Sequence, residues 1–381
     1  MVELLYTPEH EIFRQALRKF LEKEVTPHID KWEEARGVPR GIWNKFGEQG
    51  FLCPWAEEKY GGSGVGFEYS FILMEEFCRT TANAPMLYLH SDIVVPYIAN
   101  FANEEQKQRW LPGCVSGEIV TAVGMTEPGA GSDLQGISTT AVKDGDHYLI
   151  NGSKTFISNG MSCDVVVLVC KTDTKIKPAH KGISLIVVEN GTPGFKKGRK
   201  LNKMGRHSQD TAELFFDDCR VPQTNLLGQE GAGFYYLMQN LQQERICASV
   251  EGQVFAEVML EKTIEYCKTR KAFGKYIGQF QNTGFKIAEM ATEIELGRTF
   301  INKLVYDHCR GKNIVKQASM AKYWVNEMAN RVAYQCVQLH GGYGYMEEYP
   351  VCRMYRDLRM TTIAAGTTEI VKGIIAKQLG L

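Results

Sequence analysis

Glu244 stands in an apolar setting: on a helix, Leu237, Leu241, Glu244 and Ala248 fall along one face, at spacings of four, three and four. A carboxylate in such a stripe is costly unless it is paired, protonated or functional. A desolvated carboxylate also has the properties of a general base. Arg245 is next in sequence and points elsewhere around the helix, so position alone does not make it the partner. A salt bridge to another element explains the same pattern. Glu251, seven residues on, competes with Glu244 on the same grounds. Asp92, in Leu89-His90-Ser91-Asp92-Ile93, is a third carboxylate amid apolar residues, for which a helix cap or a buried hydrogen-bond partner is the ordinary reading.

The segment Met125-Thr126-Glu127-Pro128-Gly129-Ala130-Gly131-Ser132-Asp133 is dense in small and hydroxyl residues. Backbone amides there can approach a ligand closely, and Ser and Thr add donors. It has no Gly-Lys-Ser/Thr, and Leu134 occupies the third-glycine position of a dinucleotide loop, so neither phosphate pattern is met. An ordinary turn has the same composition. His340-Gly341-Gly342-Tyr343-Gly344-Tyr345 fails the dinucleotide pattern too. Arg270-Lys271-Ala272-Phe273-Gly274-Lys275 closes a long helical run with cations, which a helix C-terminus favours and a diphosphate would also find.

These residues need a frame, and hydrophobic periodicity divides the chain into three. Residues 1–122 read as an N-terminal helical domain. Thr7-Pro8 is a cap and first-turn pair, Pro27 interrupts the next segment, and helical patterning covers residues 69–79 and 104–110. Residues 123–232 read as a middle β domain, with β-rich runs at 147–151, 155–158, 164–171, 182–188 and 212–216 separated by Gly, Asn and Asp. Short strands without intervening helices predict an antiparallel barrel or sandwich. Residues 233–381 return to long helices at 234–269, 286–310 and 316–339. The expected class is mostly α with a β insert.

Lysine plus arginine equals aspartate plus glutamate, 44 each in 381 residues, which is not the footprint of a nucleic-acid binder. The eleven cysteines are scattered without a C-x-x-C pair, as expected for reduced thiols. None of the eight histidines forms a recognisable metal motif. The most continuous apolar stretch, residues 165–170, is far too short to span a bilayer. The first residues lack the basic and apolar regions of a signal peptide. The expected location is the cytoplasm of a bacterium, or the mitochondrial matrix if a presequence has been removed.

Taken together, the segments resemble the acyl-CoA dehydrogenase family over essentially the whole chain. The residues 126–133 loop looks like the family's flavin and substrate loop, and Lys154-Thr155-Phe156-Ile157-Ser158-Asn159-Gly160 like the strand beside the isoalloxazine ring. Arg270 to Gly274 with Phe280-Gln281 looks like the segment that reaches the FAD diphosphate of a neighbouring subunit. Gln338-Leu339-His340-Gly341-Gly342-Tyr343-Gly344, Tyr349-Pro350 and Arg356-Asp357 match the C-terminal signature.

The resemblance implies noncovalent FAD, a C-terminal four-helix bundle and a homotetramer. Carried over by position, Val123, Met125, Thr126 and Ser132 would lie along flavin and thioester, Phe156 would stack near the flavin and Ser158 would contact its ring. Arg270, Phe273, Gln281, Gln338 and Gly342 would bind the adenine-diphosphate half, partly across subunits. Thr367 and Glu369 would complete the flavin site. Leu241, Arg245, Ala365 and Gly366 would border the acyl group with Ser132 and Asp92.

One departure places the base. Most members carry a glutamate directly before a Gly-Thr pair near the C-terminus, and here that position is Ala365, before Gly366-Thr367. The long-chain and isovaleryl branches instead carry the glutamate on the central helix before an arginine, as in Gln242-Gln243-Glu244-Arg245, which resembles the long-chain branch closely. The implied reaction is α,β-dehydrogenation of an acyl-CoA to the trans-2-enoyl-CoA. Glu244 would take the α-proton, the hydride would pass to flavin N5, and an electron-transferring flavoprotein would take the electrons. Asp92 as base for a cyclic or unsaturated acyl group is the alternative within the fold; a non-catalytic flavin- or CoA-binding subunit is the alternative outside catalysis.

Overall fold

The computed structural model describes residues 6–381; residues 1–5, where the signal-peptide question falls, lie outside the described residues. Thr7 caps α1 (Pro8–Glu24), its N–H donating to His10 Nδ1 at 3.0 Å, with Pro8 at the first helical position. Pro27 sits in a 3₁₀ turn (Thr26–His28) between α1 and α2 (Ile29–Ala35). After α3 (Gly41–Glu48) and α4 (Phe67–Arg79), the chain makes a π-helical turn, Leu89–Val94, that runs into α5 (Val95–Phe101). Such turns recur at functional sites. α6 (Glu104–Ser116) continues beyond the expected helix and through Pro112, because Trp110, Leu111, Cys114 and Val115 bury its last turns.

The middle region is one seven-stranded sheet of β1 (Thr121–Gly124), β2 (Thr140–Asp144), β3 (His147–Ser158), β4 (Val165–Lys171), β5 (Ile183–Glu189), β6 (Phe195–Lys200) and β7 (Thr211–Pro222). Its order is β1-β4-β2-β3-β7-β6, with β5 pairing β4. Pairing is antiparallel except where β4 meets β1 and, at Thr140 opposite Lys171, β2. The runs expected at 147–151 and 155–158 are a single strand, β3. Gly152 marks a register shift against β7, and a Cβ there would come 2.4 Å from Thr139 Oγ1. The glycine is a bulge and not a turn. Alternation along β4 feeds two cores: Val165, Val167 and Val169 pack with the helices, whereas Val166, Leu168 and Cys170 pack under the sheet's other face.

The chain returns to helix in α7 (Gly233–Thr269), which is 37 residues long. Gly252 does not break it. A Cβ at that position would lie 2.3 Å from Asn326 Oδ1, so the bare backbone is what lets the next helices close on α7. Arg270 and its neighbours are not simply a helix end. They form a hairpin of β8 (Lys271–Ala272) and β9 (Lys275–Tyr276), turned by Phe273 at φ 50° and Gly274 at φ 80°, the left-handed pair that a tight hairpin needs. α8 (Gln281–Cys309), α9 (Val315–His340), α10 (Pro350–Leu358) and α11 (Thr368–Gln378) complete the fold. Arg298 on α8 ties three helices, bonding Glu75 at 2.5 Å and Glu257 at 2.7 Å. Among the described residues no helix is long and apolar enough to cross a membrane.

Candidate active site

A cavity of about 440 Å³ opens where the three regions meet. The first half of α7 forms one wall, presenting Phe234, Met238, Leu241, Glu244, Arg245, Ala248 and Glu251. These positions fall along one broad side of the helix, with Arg245 at its edge away from Glu244, so the side chains face the cavity along about five turns. Met86, Tyr88, Leu89 and Ile93 line it from the π-turn segment, and Val123, Met125, Thr126, Ser132, Phe156 and Ser158 from the sheet. Ala365 and Gly366 close the C-terminal side.

Glu244 is buried and takes part in no salt bridge among the described residues; its partner is the buried Tyr97, whose hydroxyl donates to Oε1 at 2.6 Å. Burial pushes the carboxyl from its ordinary value up to about 7, against the downward pull of the Tyr97 hydrogen bond and of Arg245. Arg245 itself turns to α9, donating to Ser319 Oγ at 3.3 Å, and burial lowers its pKa. Glu251 is different: Arg206 donates to its Oε1 at 2.5 Å and Tyr88 to its Oε2 at 2.9 Å. The two carboxylates that the helical pattern left equivalent are thus told apart by their partners. Glu251 is held in an ion pair with Arg206, and Glu244 has a tyrosine hydroxyl in its place.

Asp92 is buried inside the π-turn, so it caps no helix, and its Oδ1 has no hydrogen-bond partner among the described residues. Leu89 and Ile93 on either side line the cavity and Asp92 does not. Burial pushes its carboxyl up to about 7. Its carbonyl accepts from Gln243 Nε2 at 2.7 Å, and Gln243 Oε1 meets His308 Nε2 at 3.1 Å, so the π-turn, α7 and α8 are pinned together beside Glu244.

The hydroxyl-rich loop is held by Glu127. Its carboxylate accepts from Lys154 Nζ at 2.8 Å, the Ser138 N–H and hydroxyl and the Thr139 N–H. Burial works against the charge, yet these donors hold its pKa down at about 2. Lys154 also donates to the Met125 carbonyl at 3.1 Å, and Thr155 N–H to the Thr126 carbonyl at 2.9 Å. Thr126 is thereby fixed beside Phe156 and Ser158. Phe156 is an exposed aromatic at φ 59°, and Ala365, at φ 55°, precedes Gly366 at φ 91°. Left-handed backbone at a bulky residue such as Phe156 is strained, and Phe156 and Ala365 both line the cavity. A planar aromatic cofactor fits this cradle.

Lys322, fully buried, donates to the Gly366 carbonyl and so braces the Ala365–Gly366 turn; burial pulls its pKa down to about 8. Neither Lys322 nor Tyr97 was found as a site residue from sequence. Lys322 is an ordinary helix residue in the pattern, and Tyr97 simply follows Pro96 at the start of α5.

The remaining expected cofactor residues stand apart from the cavity. Thr367 and Glu369 border a second hollow with Met204, Glu327 and Tyr355. Arg270 lies over the Tyr343 ring at 5.3 Å, next to Gly342, and Phe273 is 94% exposed at the tip of the hairpin, 6.3 Å from the Phe280 ring. Gln281 opens α8 and Gln338 lies in the last turn of α9.

Family models for the N-terminal, middle and C-terminal domains of acyl-CoA dehydrogenase match residues 7–118, 122–219 and 231–380. The chain belongs to the acyl-CoA dehydrogenase family. It is 48% identical over 379 residues to the mitochondrial long-chain specific acyl-CoA dehydrogenase of Sus scrofa, covering 99% of this chain and 88% of that one. A crystal structure of acyl-CoA dehydrogenase from Geobacillus kaustophilus superposes with a TM-score of 0.98 at 57% identity, covering 99% of this chain and 100% of that one. A third relative, 37% identical over 99% of both chains, is the caffeyl-CoA reductase-Etf complex subunit CarC of Acetobacterium woodii. Members of the acyl-CoA dehydrogenase family are FAD-dependent flavoproteins, and this chain is an FAD-dependent oxidoreductase that dehydrogenates acyl-CoA.

Proposed function

We propose that Glu244 is the base of α,β-dehydrogenation, taking the α-proton of an acyl-CoA and leaving the trans-2-enoyl-CoA as product. The observation that carries this reading is the contrast within one cavity. Glu244 has a tyrosine hydroxyl and a raised pKa, Glu251 has an arginine, and Ala365 carries no carboxylate at all. A base with a pKa near 7 is strong enough to matter and still ionised in quantity at neutral pH.

The α-hydrogen of a thioester is a weak acid and must be acidified as it leaves. The Ala365 N–H is suited to stabilise negative charge growing on the thioester oxygen. Ala364 N–H bonds back to Met360 at 3.0 Å, so the turn's own hydrogen bonding ends just before Ala365. Lys322 on the Gly366 carbonyl anchors the turn that carries this N–H. Leu241, Ala248, Leu89 and Ile93 supply apolar walls that keep water from the carboxylate. When bound, FAD supplies the acceptor for the β-hydride. Val123, Met125, Thr126, Ser132, Phe156 and Ser158 would hold its ring, with Thr367 and Glu369 beyond. Arg270, Phe273, Gln281, Gln338 and Gly342 would hold the adenine-diphosphate half, partly across subunits of a homotetramer. The 94% exposed Phe273 at the hairpin tip supports that use.

Electrons would leave to an electron-transferring flavoprotein, as the name of the Acetobacterium relative suggests for that protein. Asp92 is off the cavity wall, so Glu244 is preferred to it as base. The test is the pH dependence of kcat/KM. A single ionisation with an apparent pKa near 7 should govern the rise; a profile flat between about pH 5.5 and 8.5 would contradict the assignment.

A further inference from the structure

The cavity has an open end and a closed one. At the open end Met238 is 38% exposed; at the closed end Tyr88 and Glu251 are each 5% exposed, and Arg206 behind them 4%. Glu251 lies seven residues past Glu244 on the same helical face, about 10 Å further along α7. Met86, Leu89, Ile93 and Ala248 make the approach apolar. An acyl chain laid past Glu244 therefore meets aliphatic walls and then a buried polar group.

That end group is firmly built. Arg206 sits at φ 52°, its N–H donating to Asp357 Oδ1 and its Nε to the Asp357 carbonyl at 3.3 Å. Asp357 also accepts from Asn83 Nδ2 at 2.6 Å. The arginine is thus aimed at Glu251 from a strained, braced backbone. A buried ion pair is a poor way to gain stability, since well-packed apolar side chains of similar volume do as well or better. It is also a poor end wall for a methyl group. Each Glu251 oxygen receives one donor, from Arg206 and from Tyr88, whereas a carboxylate accepts about four hydrogen bonds in all. Acceptor capacity remains, and both Tyr88 and Glu251 face the cavity.

We propose that Tyr88, Glu251 and Arg206 form a polar recognition site at the closed end of the cavity, selecting acyl-CoAs whose far end carries a hydroxyl donor over methyl-ended chains of the same length. This rests on the reading of the cavity as the acyl site. A tail carboxylate would meet the like charge of Glu251, so a neutral donor is the matching chemistry. Chains too short to reach Glu251 should show no preference.

The test compares pairs of acyl-CoAs matched in heavy-atom count, one ending in a hydroxyl and one in a methyl, over a series of lengths, by kcat/KM. The expected hydroxyl-to-methyl ratio is near one for short chains and rises to about tenfold or more at the length that reaches the end wall. The double substitution Arg206→Met with Glu251→Leu, which removes both members of the pair and keeps the residue-206 main-chain N–H on Asp357, should lower that ratio at least about tenfold. A wild-type enzyme that prefers the methyl-ended chain at every length overturns the proposal without any variant being needed. So does a ratio unmoved by the double substitution. If methyl-ended acyl-CoAs reduce the flavin normally while the ratio stays flat, only the end-wall site falls. If no acyl-CoA reduces it, the acyl-site reading falls as well.

Discussion

Tyr97 and Glu244 are 147 residues apart in sequence and 2.6 Å apart across the cavity wall, the tyrosine hydroxyl donating to carboxylate Oε1. The bond does two things. It fixes one oxygen of a carboxylate that makes no salt bridge among the described residues, and it favours the charged form against burial, which raises the pKa. Tyr97→Phe removes the opposing influence, so the Glu244 pKa should rise further. A hydrogen bond to a charged group is worth about 1.5–3 kcal/mol, which corresponds to a shift of about one to two pH units. The rising limb of kcat/KM against pH should move upward by that amount. A variant that only loosened the fold would lose activity without moving the limb.

Lys322 braces the Gly366 carbonyl beside the Ala365 N–H. Lys322→Met preserves the packing volume and removes the donor. It should lower kcat by about tenfold or more while leaving FAD content unchanged, since it acts through the placement of one donor to the thioester oxygen. Stopped-flow flavin reduction measured beside acyl-CoA affinity separates the two effects.

Asp92 offers a stability test. Its folded pKa, about 7, lies above the ordinary value of 3.8 because the group is buried. Below about pH 4 the carboxyl is protonated in both folded and unfolded chains and costs nothing extra. As pH rises toward 7 the unfolded chain ionises first, so the native state loses relative stability, and above 7 the loss is complete. Asp92→Asn abolishes that loss. Its advantage over wild type in chemical denaturation should be absent near pH 4 and grow to at most roughly 4 kcal/mol by pH 8.

The domain order and the long helices were readable because their periodicities of two and 3.6 are local properties. The Thr7-Pro8 start of α1 was readable for the same reason. Glu244 was marked by its apolar stripe, but the stripe marked Glu251 as well. What separates them, Tyr97 on α5 against Arg206 in the segment before β7, comes from other elements and leaves no trace in local spacing. In the sequence Gly152 looks like a break because glycine ends strands as readily as it bulges them; only the nearby Thr139 decides between the two. The hairpin after Thr269 was likewise hidden under a cationic pattern that a plain helix end would share.

The most direct test of the account is the first turnover of Glu244→Gln under anaerobic conditions. The amide keeps the side chain's size and an acceptor for Tyr97, but it cannot take a proton. The purified variant should be yellow, bind saturated acyl-CoA with near-wild-type affinity, and bleach at least about a hundredfold more slowly, as expected for loss of a general base. Bleaching at the wild-type rate would show that another group removes the α-proton.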